Sequence, residues 1–93
     1  FGRTQKNNNN GGRDHWGNLC TLAFAGGGLN MGQVVGRSDN RAGAPASTPI
    51  SSSNVLATIM HTLFDIAEVR LLTSVPKDVE QIITAPQPIR ALV

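Results

Sequence analysis

At 93 residues the chain falls just short of the ~100–150 of a typical domain, which bounds it at one folding unit. Hydrophobic residues make up 40% and charged residues 15%, with ten Gly and five Pro: globular in hydrophobicity, thin in charge, rich in chain-breakers. The net charge of +2 is too weak to argue for a nucleic-acid or membrane-surface partner, the single cysteine excludes an internal disulfide framework, and no apolar run approaches the ~18 residues of a spanning helix. The sequence opens without Met and without a charged-then-apolar leader, which predicts that it carries no address of its own.

Residues 1–18 read as a loop that carries the candidate site. Asn7–Asn10 followed by Gly11-Gly12 disfavours helix and strand alike, because Asn competes for its own backbone and Gly loses most entropy on ordering. Arg3, Lys6 and Arg13 against Asp14 give residues 1–16 a charge of +2, whereas residues 51–93 sum to −1. Residues 19–36 read as two strands joined by a glycine turn. Leu19–Ala25 is nearly all apolar and fits a strand buried on both faces, with Cys20 as a small buried hydrophobe. Gly26-Gly27-Gly28 turns the chain, and Gly32–Gly36 follows as a shorter strand. Residues 37–50, with Pro45 and Pro49, read as a loop.

Ser51 is a good N-cap, and the spacing predicts a helix over 51–67. Val55, Ile59, Leu63 and Ile66 form its apolar stripe, widened by Leu56 and Met60, with His61 opposite on the solvent side. Residues 68–93, with Pro76, Pro86 and Pro88, read as an irregular tail in which Val79–Ile83 is a short strand or turn. A strand buried on both faces needs helices on both sides and strand neighbours on both edges. These elements cannot supply them, so the sequence predicts the tail end of a larger α/β domain.

Gly11–Gly17 is the most informative stretch. His15 offers an imidazole nitrogen for a divalent metal, Asp14 a hard oxygen, and Arg13 a planar fork for an anion. The plainer alternative is a loop histidine bonded to backbone, with Asp14 capping a turn and Trp16 plugging the edge of a core. An adjacent Asp-His pair cannot complete a four-ligand shell, so a metal there requires donors from elsewhere. Arg3 and Thr4 place a second guanidinium and a hydroxyl near the start, suited to phosphate or sulfate, or simply to a solvated loop. Gly26–Gly32 fits neither dinucleotide nor Walker patterns and is read as a reversal with positive φ.

The order Phe-Gly-Arg-Thr (1–4), Gly-Arg-Asp-His-Trp-Gly-Asn (12–18), Ala-Gly-Gly-Gly (25–28), Gly-Gln-Val-Val-Gly (32–36) and Ser-Asp (38–39), with Val55–His61 and Pro88–Leu92, resembles the carboxy-terminal part of a bacterial family catalogued as domain of unknown function 1501. The match runs nearly end to end. Those proteins are similar in fold to the alkaline phosphatase and sulfatase superfamily, so the resemblance implies a C-terminal fragment of a three-layer α/β/α sandwich. It maps a divalent-metal ligand (for Zn, Ca or Mg) onto His15, with Asp14 as ligand or orienter and Arg3, Thr4 and Arg13 around an anion. Metal-dependent relatives often have Asp-His-Gly where this chain has Phe1-Gly2, and Phe1 cannot ligate a metal. Gln5 and the Asn run also depart from the family pattern.

The resemblance implies a metal-assisted phosphate- or sulfate-ester hydrolase whose nucleophile lies upstream. Its partners would be a small ester and the rest of its own domain, with no nucleic acid and no membrane span. Relatives begin with a twin-arginine signal, which implies an exported or periplasmic protein. Two rivals stand beside it: a degenerate alkaline-phosphatase-like binding protein without a complete metal site, favoured by Phe1, and a small basic module that folds alone.

Overall fold

The computed structural model describes residues 2–93; Phe1, the first residue of the Phe-Gly-Arg-Thr motif and the position noted above as unable to ligate a metal, lies outside the described residues. The chain is mixed α/β, with one two-stranded sheet and three helices. It divides into two compact units rather than the single one its length suggests: the residues up to Phe24 with Val35–Pro49, and Ala25–Val34 with Ile50–Val93.

In the first unit, β1 (Gly2–Arg3) pairs antiparallel with β2 (His15–Trp16), Gly2 opposite Trp16 and Arg3 opposite His15. The segment expected to be loop throughout therefore contains both strands of a ribbon. The loop expected at 37–50 is closed by a bridge between Ser38 and Pro45 and by Ala46 N–H donating to the Arg37 carbonyl at 2.9 Å. At its tip, the Asp39 carboxylate Oδ1 accepts from the amides of Arg41 (3.1 Å) and Gly43 (2.8 Å).

Neither strand expected within 19–36 joins a ladder among the described residues. Cys20, expected buried, is exposed, as are Thr21, Leu22 and Ala23. The second run, Gly32–Gly36, is likewise unpaired, and Val34 is 94% exposed. The physical reason is the one that makes such runs depend on context. A strand without side-chain alternation is held by edge neighbours and by cover on both faces, and residues 2–93 provide no long strand to pair with. The glycine turn is present as expected, with Gly26, Gly27 and Gly28 at φ of 86, 66 and 72. That left-handed region is open to glycine at little steric cost.

The second unit is helical. Ser51 caps α1 (Ser52–Leu63) through a capping box in which Ser51 Oγ accepts from the Asn54 amide and Asn54 Oδ1 accepts from the Ser51 amide. α1 stops at Leu63, short of the expected 67, because Phe64 is extended and Asp65 starts a new helix. The Asp65 carboxylate accepts from the amides of Ala67 and Glu68 and so caps α2 (Ile66–Leu71). The tail expected to be irregular holds α2 and also α3 (Lys77–Thr84), so Val79–Ile83 is helical rather than a strand. Pro76 leads into α3, Asp78 and Glu80 occupy its first turn, and Lys77 Nζ meets Glu80 Oε2 at 2.8 Å.

α3 packs against both α1 and α2. The core here is small: Ala57, Ile66, Val69 and Leu92, with Thr58 and Thr84 among them. Thr58, fully buried, donates from Oγ1 to the Asn54 carbonyl at 2.8 Å and accepts the Ile89 amide at 2.9 Å, pinning the closing segment to α1. Asn30 and Gln33 hold the same segment through the carbonyls of Ala91, Leu92 and Val93. α1 thus turns Ala57 and Thr58 inward and leaves Ile59 and Leu63 of its apolar stripe exposed. His61 is exposed, as expected.

Candidate anion-binding site

The ribbon of the first unit brings the two candidate motifs together. Thr4 N–H donates to the Asp14 carbonyl at 3.0 Å, continuing the pairing one step beyond the strands. Thr4 and Asp14 are then a hydrogen-bonded pair, and Arg3 and His15, one step along, are a non-hydrogen-bonded pair. In such a pair the Cα atoms lie about 4.5 Å apart with both side chains on one face. Arg3 and His15, eleven positions apart in sequence, are therefore neighbours, and both are exposed.

Thr4 laces this ribbon. Its hydroxyl donates to the Lys6 carbonyl at 2.9 Å and accepts the Asp14 amide at 3.1 Å. Its proton thus serves the hairpin rather than an incoming anion. Asp14 is engaged as well: Oδ1 accepts from Asn8 Nδ2 at 3.0 Å. Asn8 Oδ1 in turn accepts the amides of Asn10 and Gly12, both at 3.0 Å. The asparagine run is thus an ordered turn built on one side chain. Its sequence signal is an Asx residue with a glycine four positions on, which the reading of the run as a loop did not use.

Arg13 is exposed and, like Arg3, shares an ion pair with no carboxylate among the described residues, where Lys77–Glu80 is the one such pair. Trp16 is half-buried and donates from Nε1 to the Ala42 carbonyl at 2.7 Å. Asn18 Nδ2 reaches the Gly43 carbonyl at 3.1 Å. Gly2 lies under the backbone where the chain returns, and a Cβ there would collide with the carbonyl oxygens of Leu19 and Trp16.

A divalent metal fits this donor set poorly. Asp14 and His15 are successive residues of extended chain, whose side chains alternate between faces, and Asp14 already holds Asn8. Among the described residues no three His, Cys, Asp or Glu side chains come together. Zinc sites take three or four protein ligands and calcium sites six or more oxygens, so these residues alone do not make one. What the ribbon offers is a guanidinium beside an imidazole, a pair suited to an oxyanion.

No helix among the described residues is long and apolar enough to cross a membrane. No curated protein and no solved structure matches the chain. The model of one family, described as a protein of unknown function (DUF1501), matches residues 1–92. The motifs that make the ribbon all fall inside that match, and the chain belongs to the DUF1501 family.

Proposed function

We propose that this chain is the C-terminal segment of an alkaline-phosphatase-like α/β domain that hydrolyses a phosphate or sulfate ester, and that its ribbon supplies the anion-recognising edge of the site. The observation that carries the reading is the register of β1 and β2, which sets Arg3 directly opposite His15. A guanidinium grips two oxygens of a tetrahedral anion at once and carries its charge at any ordinary pH. The neighbouring imidazole stands on the same face of the ribbon, beside the bound anion. As charge builds on those oxygens in the transition state, donors already in place stabilise it without reorganising. The nucleophile belongs to other parts of the domain. Support for a larger domain comes from the apolar surface left open: Val34, Leu63, Leu71 and Ile82 are each more than half exposed.

The test uses the complete protein, with inorganic phosphate and sulfate as binding probes and aryl phosphate and aryl sulfate as substrates. Charge-assisted hydrogen bonds contribute ~1.5–3 kcal/mol each, so Arg3→Ala is expected to weaken anion binding by about tenfold or more. His15→Ala should weaken it less and lower turnover. Unchanged affinity in both variants would refute the reading. Phe1, which stands where metal-dependent relatives often carry Asp-His-Gly, favours a second reading, a binding protein that kept the anion site and lost the chemistry. Anion binding that depends on Arg3, with no hydrolysis of either substrate, would establish that second reading.

A further inference from the structure

Of the chain's eight asparagines, one is followed by glycine: Asn10, in the turn that joins β1 to β2. The pair matters chemically because an asparagine side chain and the next backbone nitrogen can close a five-membered ring on each other. A side chain on the following residue hinders that approach. Glycine, with no Cβ and the widest backbone freedom, does not. The other seven precede asparagine, arginine or a bulky apolar residue.

Asn10 is open to this chemistry. Asn10 and Gly11 are both exposed, and the Asn10 side chain makes no hydrogen bond among the described residues. Asn8, Asn18, Asn30 and Asn54, by contrast, hold partners with theirs. What restrains the site is the turn itself. The Gly11 amide donates to the Asn8 carbonyl at 3.2 Å, the longest bond in the turn, and the Asn10 amide to Asn8 Oδ1 at 3.0 Å. The attacking nitrogen is therefore released only when the tip opens, and exposed tips are where such openings cost least.

We propose that Asn10 is a site of spontaneous deamidation, which places an acid and an altered backbone in the turn that sets the Arg3–His15 register. The Gly11 nitrogen gives up its proton and bonds to Asn10 Cγ. The Cγ–Nδ2 bond breaks, ammonia leaves carrying that proton, and a succinimide remains. Water then splits one of the two imide C–N bonds. Cleavage at Cγ gives aspartate; cleavage at the backbone carbonyl gives isoaspartate, whose main chain runs through Cβ and is one methylene longer. Either product lowers the charge of residues 1–16 from +2 to +1. Isoaspartate also changes the geometry. Asn8 and Gly12 are closed on each other by the Asn8 amide on the Gly12 carbonyl at 2.7 Å and by the Gly12 amide on Asn8 Oδ1 at 3.0 Å, and that ring becomes one atom too long. Gly12 leads through Arg13 into Asp14, so the extra atom works against the bond from the Thr4 amide to the Asp14 carbonyl. The modification stands on its own, and its effect on anion binding rests on the proposed function.

The complete protein is held in mildly alkaline buffer and followed by peptide mapping with mass spectrometry, with the two acid products separated by chromatography. Acid should accumulate at position 10 about tenfold faster than at any other asparagine, and faster as pH rises. Asn10→Gln, which would need a six-membered ring, should stop it. In the isoaspartyl form the Thr4 amide should exchange about tenfold faster than in fresh protein, and inorganic sulfate should bind about threefold more weakly. Asn10→Asp, which adds the charge without the methylene, should keep the Thr4 protection of fresh protein. Acid appearing at position 10 no faster than at the other asparagines would overturn the site. Equal Thr4 protection in the isoaspartyl form and in Asn10→Asp would overturn its effect on the ribbon. If Arg3→Ala leaves sulfate binding intact while position 10 still converts and loosens Thr4, the proposed function fails and the modification stands.

Discussion

The buried hydroxyl of Thr58 provides the sharpest stability test. Thr58→Val keeps the shape and removes the oxygen. The Asn54 carbonyl still has its intrahelical partner, but the Ile89 amide loses its acceptor. A donor left unpaired in a buried place costs ~1–3 kcal/mol. The added methyl returns somewhat under ~0.8 kcal/mol of transfer energy, for a net loss of about 1–2 kcal/mol. Thr58→Ser does the reverse, keeping both hydrogen bonds and leaving a methyl-sized void, also about 1 kcal/mol. Global stability will scarcely separate the two variants, but amide exchange will. The Ile89 amide should exchange about tenfold faster in Thr58→Val, and no faster than the loss of global stability dictates in Thr58→Ser. Equal Ile89 protection in both variants would refute the claim that this one hydroxyl fastens the closing segment.

Two further substitutions probe backbone geometry. Gly2→Ala forces a methyl into the carbonyls of Leu19 and Trp16, backbone atoms that cannot swing aside, so the β1–β2 pairing and anion binding should fail together; a binding isotherm like wild type would exclude this. Gly27→Ala meets Thr62 Cγ2 at 2.7 Å on top of a φ of 66, whereas Gly28→Ala, at φ 72, meets nothing. Gly28→Ala should cost roughly 1 kcal/mol and Gly27→Ala more, and Thr62→Ser should return Gly27→Ala to the Gly28→Ala level in a denaturant titration.

The parts of the fold set by local chemistry were legible. Ser51 capped its helix, the triple glycine took positive φ, and the polarity of His61 kept it in solvent. What stayed illegible depended on partners. Leu19–Ala25 has the composition of an interior strand, but composition does not supply a neighbour to pair with. Val79–Ile83 shows the opposite failure. Its β-branched run looks like a strand until Pro76, the acidic first turn and packing against α1 and α2 make it a helix. At the site, the residue types around Arg13–His15 were visible. The adjacency of Arg3 to His15 was not, since it depends on a pairing register closed by Thr4 and by a turn that read only as loop.

That turn has a counterpart across its own unit. Asn8 gathers the amides of residues 10 and 12, and Asp39 gathers those of 41 and 43; in each a glycine closes the fifth position. The same scaffold is written once with a neutral amide and once with an acid, and the choice follows the surroundings. Next to Asp14, a second carboxylate at position 8 would repel the first and forfeit the donor that Nδ2 supplies, whereas position 39 has no such neighbour to satisfy. For protein engineering this makes the first two residues inside each tip the ones to rewrite, while the leading side chain must stay and the third inner position, Gly11 in one tip and Ala42 in the other, must keep a residue that tolerates positive φ.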